Sequence, residues 1–237
     1  MIVLKSLKSG FHHLRQPGTR LYVLLPLLIN VLIFSSLMNF GANTLSHWLK
    51  NILHTVPSWL NWLAWLIWAL FWLSNLLAMA YTFVFVGNLI AAPFNALLAE
   101  RIQQQLGQTV PITRWRDLPA IAVRAIKRQL HIVLYVLPRL LGCLVLFIIP
   151  VVQLVAPFVW FLWSAWAVTL QYTDYAADNN QHSFKALRKK LRTRRFSSTL
   201  FGTSILLLTA VPILNIFMMP LSVSAATCFW FNLENGK

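Results

Sequence analysis

Charge is scarce in this sequence, and acid is scarcer still. Of 237 residues 11% are charged, and 5 Asp plus Glu stand against 20 Lys plus Arg, a net +15. A soluble domain is about a quarter charged. With 58% hydrophobic residues, too few polar side chains remain to cover a surface facing water. A disordered polymer is excluded as well, because it needs low hydrophobicity. Soluble nucleic-acid binders are basic but not this apolar, so no nucleic-acid partner is expected. Cysteine is almost absent. Cys143 and Cys228 lie in apolar stretches, give neither a disulfide framework nor a zinc spacing, and read as small buried apolar residues. No Gly-x4-Gly-Lys-Ser/Thr loop, Gly-x-Ser-x-Gly elbow or His-Glu-x-x-His helix occurs. No enzyme, cofactor or metal is therefore called for. What remains is a basic, all-α integral membrane protein of one domain.

The charges are absent from long intervals: Leu21 to Leu49, Asn51 to Ala99, Leu140 to Thr173 and Phe196 to Leu233. About 20 apolar residues suffice to cross a bilayer as a helix. Two spanning helices are predicted, one over 21–40 and one within about 59–92. The second is long for a single crossing, so it tilts or runs past the membrane surface. The linker Gly41 to Pro57 carries Asn43, Ser46, His47, Lys50, Asn51 and His54, which water can solvate. Trp48, Trp59, Trp62 and Trp65 fit an interfacial aromatic belt. The long basic segment before Leu21, and the lack of a cleavage site between Ser36 and Asn43, argue against a signal peptide.

The last two intervals each carry paired prolines, Pro150 with Pro157 and Pro212 with Pro220. Proline breaks or kinks a helix. Each interval therefore reads as a helical hairpin, over about 130–173 and 196–233. The tips contain one polar side chain apiece, Gln153 or Asn215, too little for turns that emerge into water. Re-entrant hairpins, buried in protein or membrane, are the reading. Two complete short crossings per hairpin are the alternative.

Basic residues fall in three blocks. Over 1–16, Leu4, Leu7, Phe11 and Leu14 share a helical face beside Lys5, Lys8, His12 and Arg15, an amphipathic helix suited to the membrane interface. The block 101–128 sets Leu118, Ile121, Ala125 and Ile126 against Arg124, Lys127 and Arg128. The block 184–195 has an apolar stripe of Phe184, Leu187 and Leu191. Two crossings and two hairpins place all three blocks on one side, the cytoplasmic one by the positive-inside rule. Orientation and contact with anionic lipids account for most of the excess charge.

Candidate chemistry is sparse. Gln16-Pro17-Gly18-Thr19-Arg20 is a turn signal just before the helix that starts near Leu21. Free backbone N–H groups and the positive dipole end of that helix, a glycine that admits close approach, the Thr19 hydroxyl and the Arg20 fork would suit a tetrahedral oxyanion. An interfacial turn with a snorkelling arginine is the plainer alternative. Glu100 closes the second long interval, and an ion pair with Arg124, Arg128 or Arg139 would line a polar path. Asp174 and Asp178, spaced i, i+4, are candidates for metal or proton handling, or for pairing with nearby arginines. Arg20 and Arg139 are the charges assigned to an anion itself.

These residues resemble the CysZ sulfate permease family, related to etoposide-induced-protein-like membrane proteins. The resemblance rests on Pro17-Gly18-x-Arg20 with Leu25-Pro26-x-x-Ile29-Asn30, and on Ala92-Pro93-Phe94-Asn95-x-Leu97-Leu98-Ala99-Glu100. It continues through Trp166, Tyr172-x-Asp174, Phe184, Leu187-Arg188 and Phe201-Gly202 to Pro212-x-Leu214-Asn215, Pro220 and Ala225-Ala226-Thr227. It implies sulfate transport across a bacterial inner membrane, as channel or permease, to feed cysteine synthesis. It also implies two long transmembrane helices with two re-entrant hairpins, and a homo-oligomer built from dimers whose protomers can insert in opposite orientations. The family's sulfate site is a Gly-Leu-Arg-Arg stretch, here Gly18-Thr19-Arg20-Leu21. Leu21 replaces the second arginine, which leaves binding to the backbone at Gly18, Thr19 and Arg20 and to one guanidinium. Proton coupling, through Glu100 or Asp174, and passive conduction both stay open. A membrane-scaffolding or lipid-interacting protein without transport is the rival reading.

Overall fold

The computed structural model describes residues 2–29, 31–36, 39, 61–111 and 115–236. Every regular element among them is helical. These are α1 (Ile2–Arg15), α2 (Arg20–Ser36), α3 (Asn61–Gln105), α4 (Leu118–Val145), α5 (Ala156–Asn179), α6 (Phe184–Thr193), α7 (Arg195–Thr209) and α8 (Pro212–Glu234). The chain divides into two compact units, Leu24–Ala91 and the combination of Met1–Val23 with Ala92–Lys237. The linker predicted over 41–57, Trp48 and Trp59 of the aromatic belt, and the last residue of the 21–40 span lie outside the described residues.

In the unit Leu24–Ala91, the helices present apolar side chains outward. Leu24, Leu28, Leu32, Trp65, Leu73 and Leu76 are all exposed. Two serine hydroxyls turn inward to their own helix, Ser36 to the Leu32 carbonyl and Ser74 to the Leu70 carbonyl, at 2.8 and 2.7 Å. Such i−4 bonds satisfy a hydroxyl where no water is at hand.

The other unit carries the core. α1 and α8 pack along a seam of small residues. A Cβ on Gly10 would lie 2.5 Å from the Ala225 Cα, so only glycine admits this approach. Ser224 donates to the Gly10 carbonyl at 2.7 Å and Asn232 to the Ser6 hydroxyl at 3.2 Å. The face predicted to be apolar packs only in part, through Leu7 and Leu14. Val3, Ser6 and Gly10 are buried, while Leu4 and Phe11 stay exposed.

α5 and α7 approach just as closely, Gly202 lying on the Ala165 carbonyl. Thr169 donates across to the Ser198 carbonyl at 2.7 Å. Phe201 stacks on Phe229 of α8 with centroids 4.7 Å apart. Ser183 caps α6 by accepting from the Ala186 amide, and the predicted stripe holds, with Leu187 and Leu191 fully buried. Cys228 is buried and Cys143 half-buried, both as free thiols.

Three boundaries differ from expectation. The helix predicted to end near Ala92 continues through Pro93 to Gln105. The block 101–128 is not one segment. Arg101 lies near the end of α3, and Arg124 to Arg128 lie in the first half of α4, which continues unbroken into the region assigned to the first hairpin. Ala, Ile, Arg, Lys, Gln and Leu all sustain a helix, so a change from polar to apolar surface is no break. Pro212 to Pro220 is not a turn either. Pro212 opens α8 at its first position, where a missing N–H costs nothing, and Pro220 is inside it. Among the described residues, Pro119–Val145 is the helix long and apolar enough by itself to cross a membrane. α4 and α5 run antiparallel, joined by residues 146–155, with Ile148, Val151 and Leu154 all exposed at the tip.

Candidate functional site

The turn between α1 and α2 is built from the end of α1. The Gln16 amide donates to the His13 carbonyl at 3.2 Å, and the Tyr22 amide to that of Thr19 at 3.1 Å. Gly18 takes φ +93°, a conformation that costs an L side chain strain. Thr19 is fully buried. Its hydroxyl lies 2.8 Å from both the Leu14 and the Gln16 carbonyl, so its single proton satisfies the last turn of α1 and points away from any external anion. Arg20 is exposed.

A second guanidinium stands at this turn, which the sequence reading missed. A Cβ on Gly18 would lie 3.2 Å from Nη2 of Arg101. Arg101 donates to Gln104 at 3.2 Å, and His13 bonds Gln105 at 3.0 Å, so the end of α3 is tied to the end of α1. Glu100, buried beside it, accepts from Gln104 at 3.2 Å. The polar run Glu100-Arg101-x-Gln103-Gln104-Gln105 was the signal available, but its partner lies some 80 residues away in sequence.

The other predicted residues separate. Arg128 grips Asp174 with two parallel bonds, Nε to Oδ2 at 3.0 Å and Nη2 to Oδ1 at 2.6 Å. It also reaches Asp178 at 3.5 Å, and Arg124 meets Asp178 at 2.9 Å. The carboxylates that serve Arg124 and Arg128 are thus Asp178 and Asp174. Among the described residues no cluster of three metal-ligating side chains occurs. Arg139 joins neither group, its guanidinium lying over the Tyr135 ring at 3.9 Å.

This ion-pair cluster continues into a partly buried polar network. Arg128 donates to the His182 carbonyl at 2.8 Å, and the His182 ring meets Glu234 at 3.0 Å. Glu234 accepts from Asn180 and Gln108. Asn180 accepts from Gln103, and Gln103 accepts from Asn179. One continuous chain of bonds links α3, α4, α5 and α8 at the end of the unit where α6 begins. Beside Arg128 lies a cleft lined by Gln129, Gln171 and Tyr175, with room for no more than about one water.

The family model described as Sulfate transporter CysZ/Etoposide-induced protein 2.4 matches residues 6–220. The chain belongs to this family. The match spans the Gly18 turn and the Arg128–Asp174 pair and ends within the first part of α8. It places the chain among helical membrane proteins of sulfate transport, a transporter family rather than an enzyme family.

Proposed function

We propose that the chain moves sulfate across a bacterial inner membrane, as a channel or permease that supplies cysteine biosynthesis, in a homo-oligomer built from dimers. The observation that carries this reading is the Gly18 turn, where a positive-φ glycine just before α2 lies against the Arg101 guanidinium of α3 and is followed two residues on by the exposed Arg20. Helix-start amides and two permanent cations suit a divalent tetrahedral anion. Arg101 compensates in space for Leu21. Gly18 and Arg20 bind sulfate through backbone and guanidinium, while Thr19 holds the turn's shape, its hydroxyl and its amide both donating to carbonyls of the chain just before it.

The architecture proposed is two long spans, α2 and α3, with the hairpins α4–α5 and α7–α8 entering the membrane in part. The exposed apolar stripe Ile126, Leu130, Leu134, Leu137, Leu141 and Leu144 of α4 supports lipid contact. So does the exposed tip. α7 has 15 residues, roughly 22 Å of helix, less than a bilayer core. The exposed Leu4 and Phe11 suit α1 to the interface. The basic starts of α4 and α6 lie at one end of the unit, in keeping with a single cytoplasmic face per protomer.

An inside-negative potential of 100 mV opposes sulfate entry by about 4.6 kcal/mol. Passive conduction therefore runs inward only while consumption keeps the cytoplasmic concentration low. The test is radiolabelled sulfate flux into liposomes holding the purified protein, with and without a pH gradient. Flux above empty liposomes supports transport. None under either condition leaves the scaffolding reading.

A further inference from the structure

A groove of about 630 Å³ runs along α5 between α4 and the start of α7. Val159, Leu162, Trp163 and Trp166 form its apolar wall, and Arg192 and Arg195 border it. Tyr135, also in the wall, gathers the cations. Arg139 and Arg188 lie over its ring at 3.9 and 4.4 Å, and Arg192 donates to its hydroxyl at 3.4 Å. Among the described residues the ion pairs use Arg124, Arg128 and His182, so Asp174, Asp178 and Glu234 are committed elsewhere and no carboxylate meets these four arginines. In the groove's wall, Nε1 of Trp163 is buried with no hydrogen-bond partner, as is Nε of Arg188, which covers the Tyr135 ring beside the groove. Groups so placed are costly unless something outside the chain satisfies them.

We propose that this groove binds an anionic phospholipid, its phosphate between Arg192 and Arg195 and an acyl chain along Val159, Leu162 and Trp163. Charge complementarity calls for the anion, since a cluster of arginines with no internal carboxylate lacks its counter-charge. The apolar wall and the exposed Phe158 and Leu162 next to it call for the chain. A hydrated inorganic oxyanion has no use for either. Arginine forks suit phosphate oxygens, and cations stacked on aromatic faces are held without being neutralised. The site is separate from the Gly18 turn in sequence and in its residues, and it stands whether or not the chain conducts sulfate.

The experiment is native mass spectrometry of the purified full chain in detergent, with added phosphatidylglycerol or phosphatidylcholine of the same acyl chains. Phosphatidylglycerol is expected to be retained at least five-fold better. The double substitution Arg192→Gln with Arg195→Gln abolishes that preference. Lys189→Gln with Lys190→Gln, the same change of charge off the groove, leaves it. Leu162→Glu, at an exposed position that folding does not need, also abolishes it. Equal retention of the two lipids, or equal loss in the Lys189/Lys190 variant, overturns the proposal. Displacement of the lipid by millimolar sulfate or glycerophosphate also overturns it, marking a free-oxyanion site instead.

Discussion

Arg128 on α4 and Asp174 on α5 form a bidentate ion pair whose side chains are only 15% and 5% exposed. This pair, with Arg124–Asp178 one turn away, fixes the register of the two helices. Removing one partner leaves a buried charge uncompensated. Asp174→Asn and Arg128→Gln are each expected to destabilise the protein by about 3–5 kcal/mol. Arg128→Met with Asp174→Leu together recover most of that, because neither charge is left without its partner and Asp178 keeps Arg124. Thermal unfolding of the three variants in detergent checks this, and a double variant no better than the singles would contradict it.

The α1–α8 seam makes Gly10 intolerant. Gly10→Ala forces its Cβ into the Ala225 backbone, and overpacking of this kind costs about 1–3 kcal/mol. α1 is expected to loosen first, read as faster proteolysis near residue 15 while α5 to α8 stay protected.

The Gly18 turn predicts two kinds of effect on sulfate binding. Arg20→Ala and Arg101→Ala each remove one charged donor, worth about 1.5–3 kcal/mol, so affinity falls roughly ten- to hundred-fold. Arg20→Lys restores charge but not the fork and recovers only part. Thr19→Ala lowers stability more than affinity, because its hydroxyl serves carbonyls of α1 and the Gly18 turn. Isothermal titration with sulfate separates the two. Unchanged affinity in Arg20→Ala would remove the turn from consideration as the anion site.

Gln103 is fully buried and bonds the Ala176 carbonyl, Asn180 and Asn179 at once. Gln103→Leu keeps the volume and strips those partners of their bonds, at a cost of about 1–3 kcal/mol. The loss should appear as a lowered unfolding midpoint with helix content unchanged by circular dichroism.

The sequence by itself determined the class of the protein, because composition and helical period are local properties. Scarce charge in long gaps gave apolar helices, and the i, i+3, i+7 spacing of Phe184, Leu187 and Leu191 gave the buried stripe of α6. The turn at Gly18 was legible from Pro-Gly alone. The ends of α3, α4 and α8 were not, since Pro93 and Pro220 break a helix only when nothing else holds it, and packing is not written in the local pattern. Nor was the face by which α1 packs. Gly10 and Ser6 look unremarkable until Ala225 and Asn232 lie against them. Above all, the partners of charges were left to the tertiary structure. Arg124 and Arg128 had several carboxylates within reach on paper, and only the antiparallel contact of α4 with α5 selected Asp178 and Asp174 over Glu100. The same folding brought Arg101 to Gly18, because Coulomb attraction and hydrogen bonds depend on distance in space, which the order of residues does not contain.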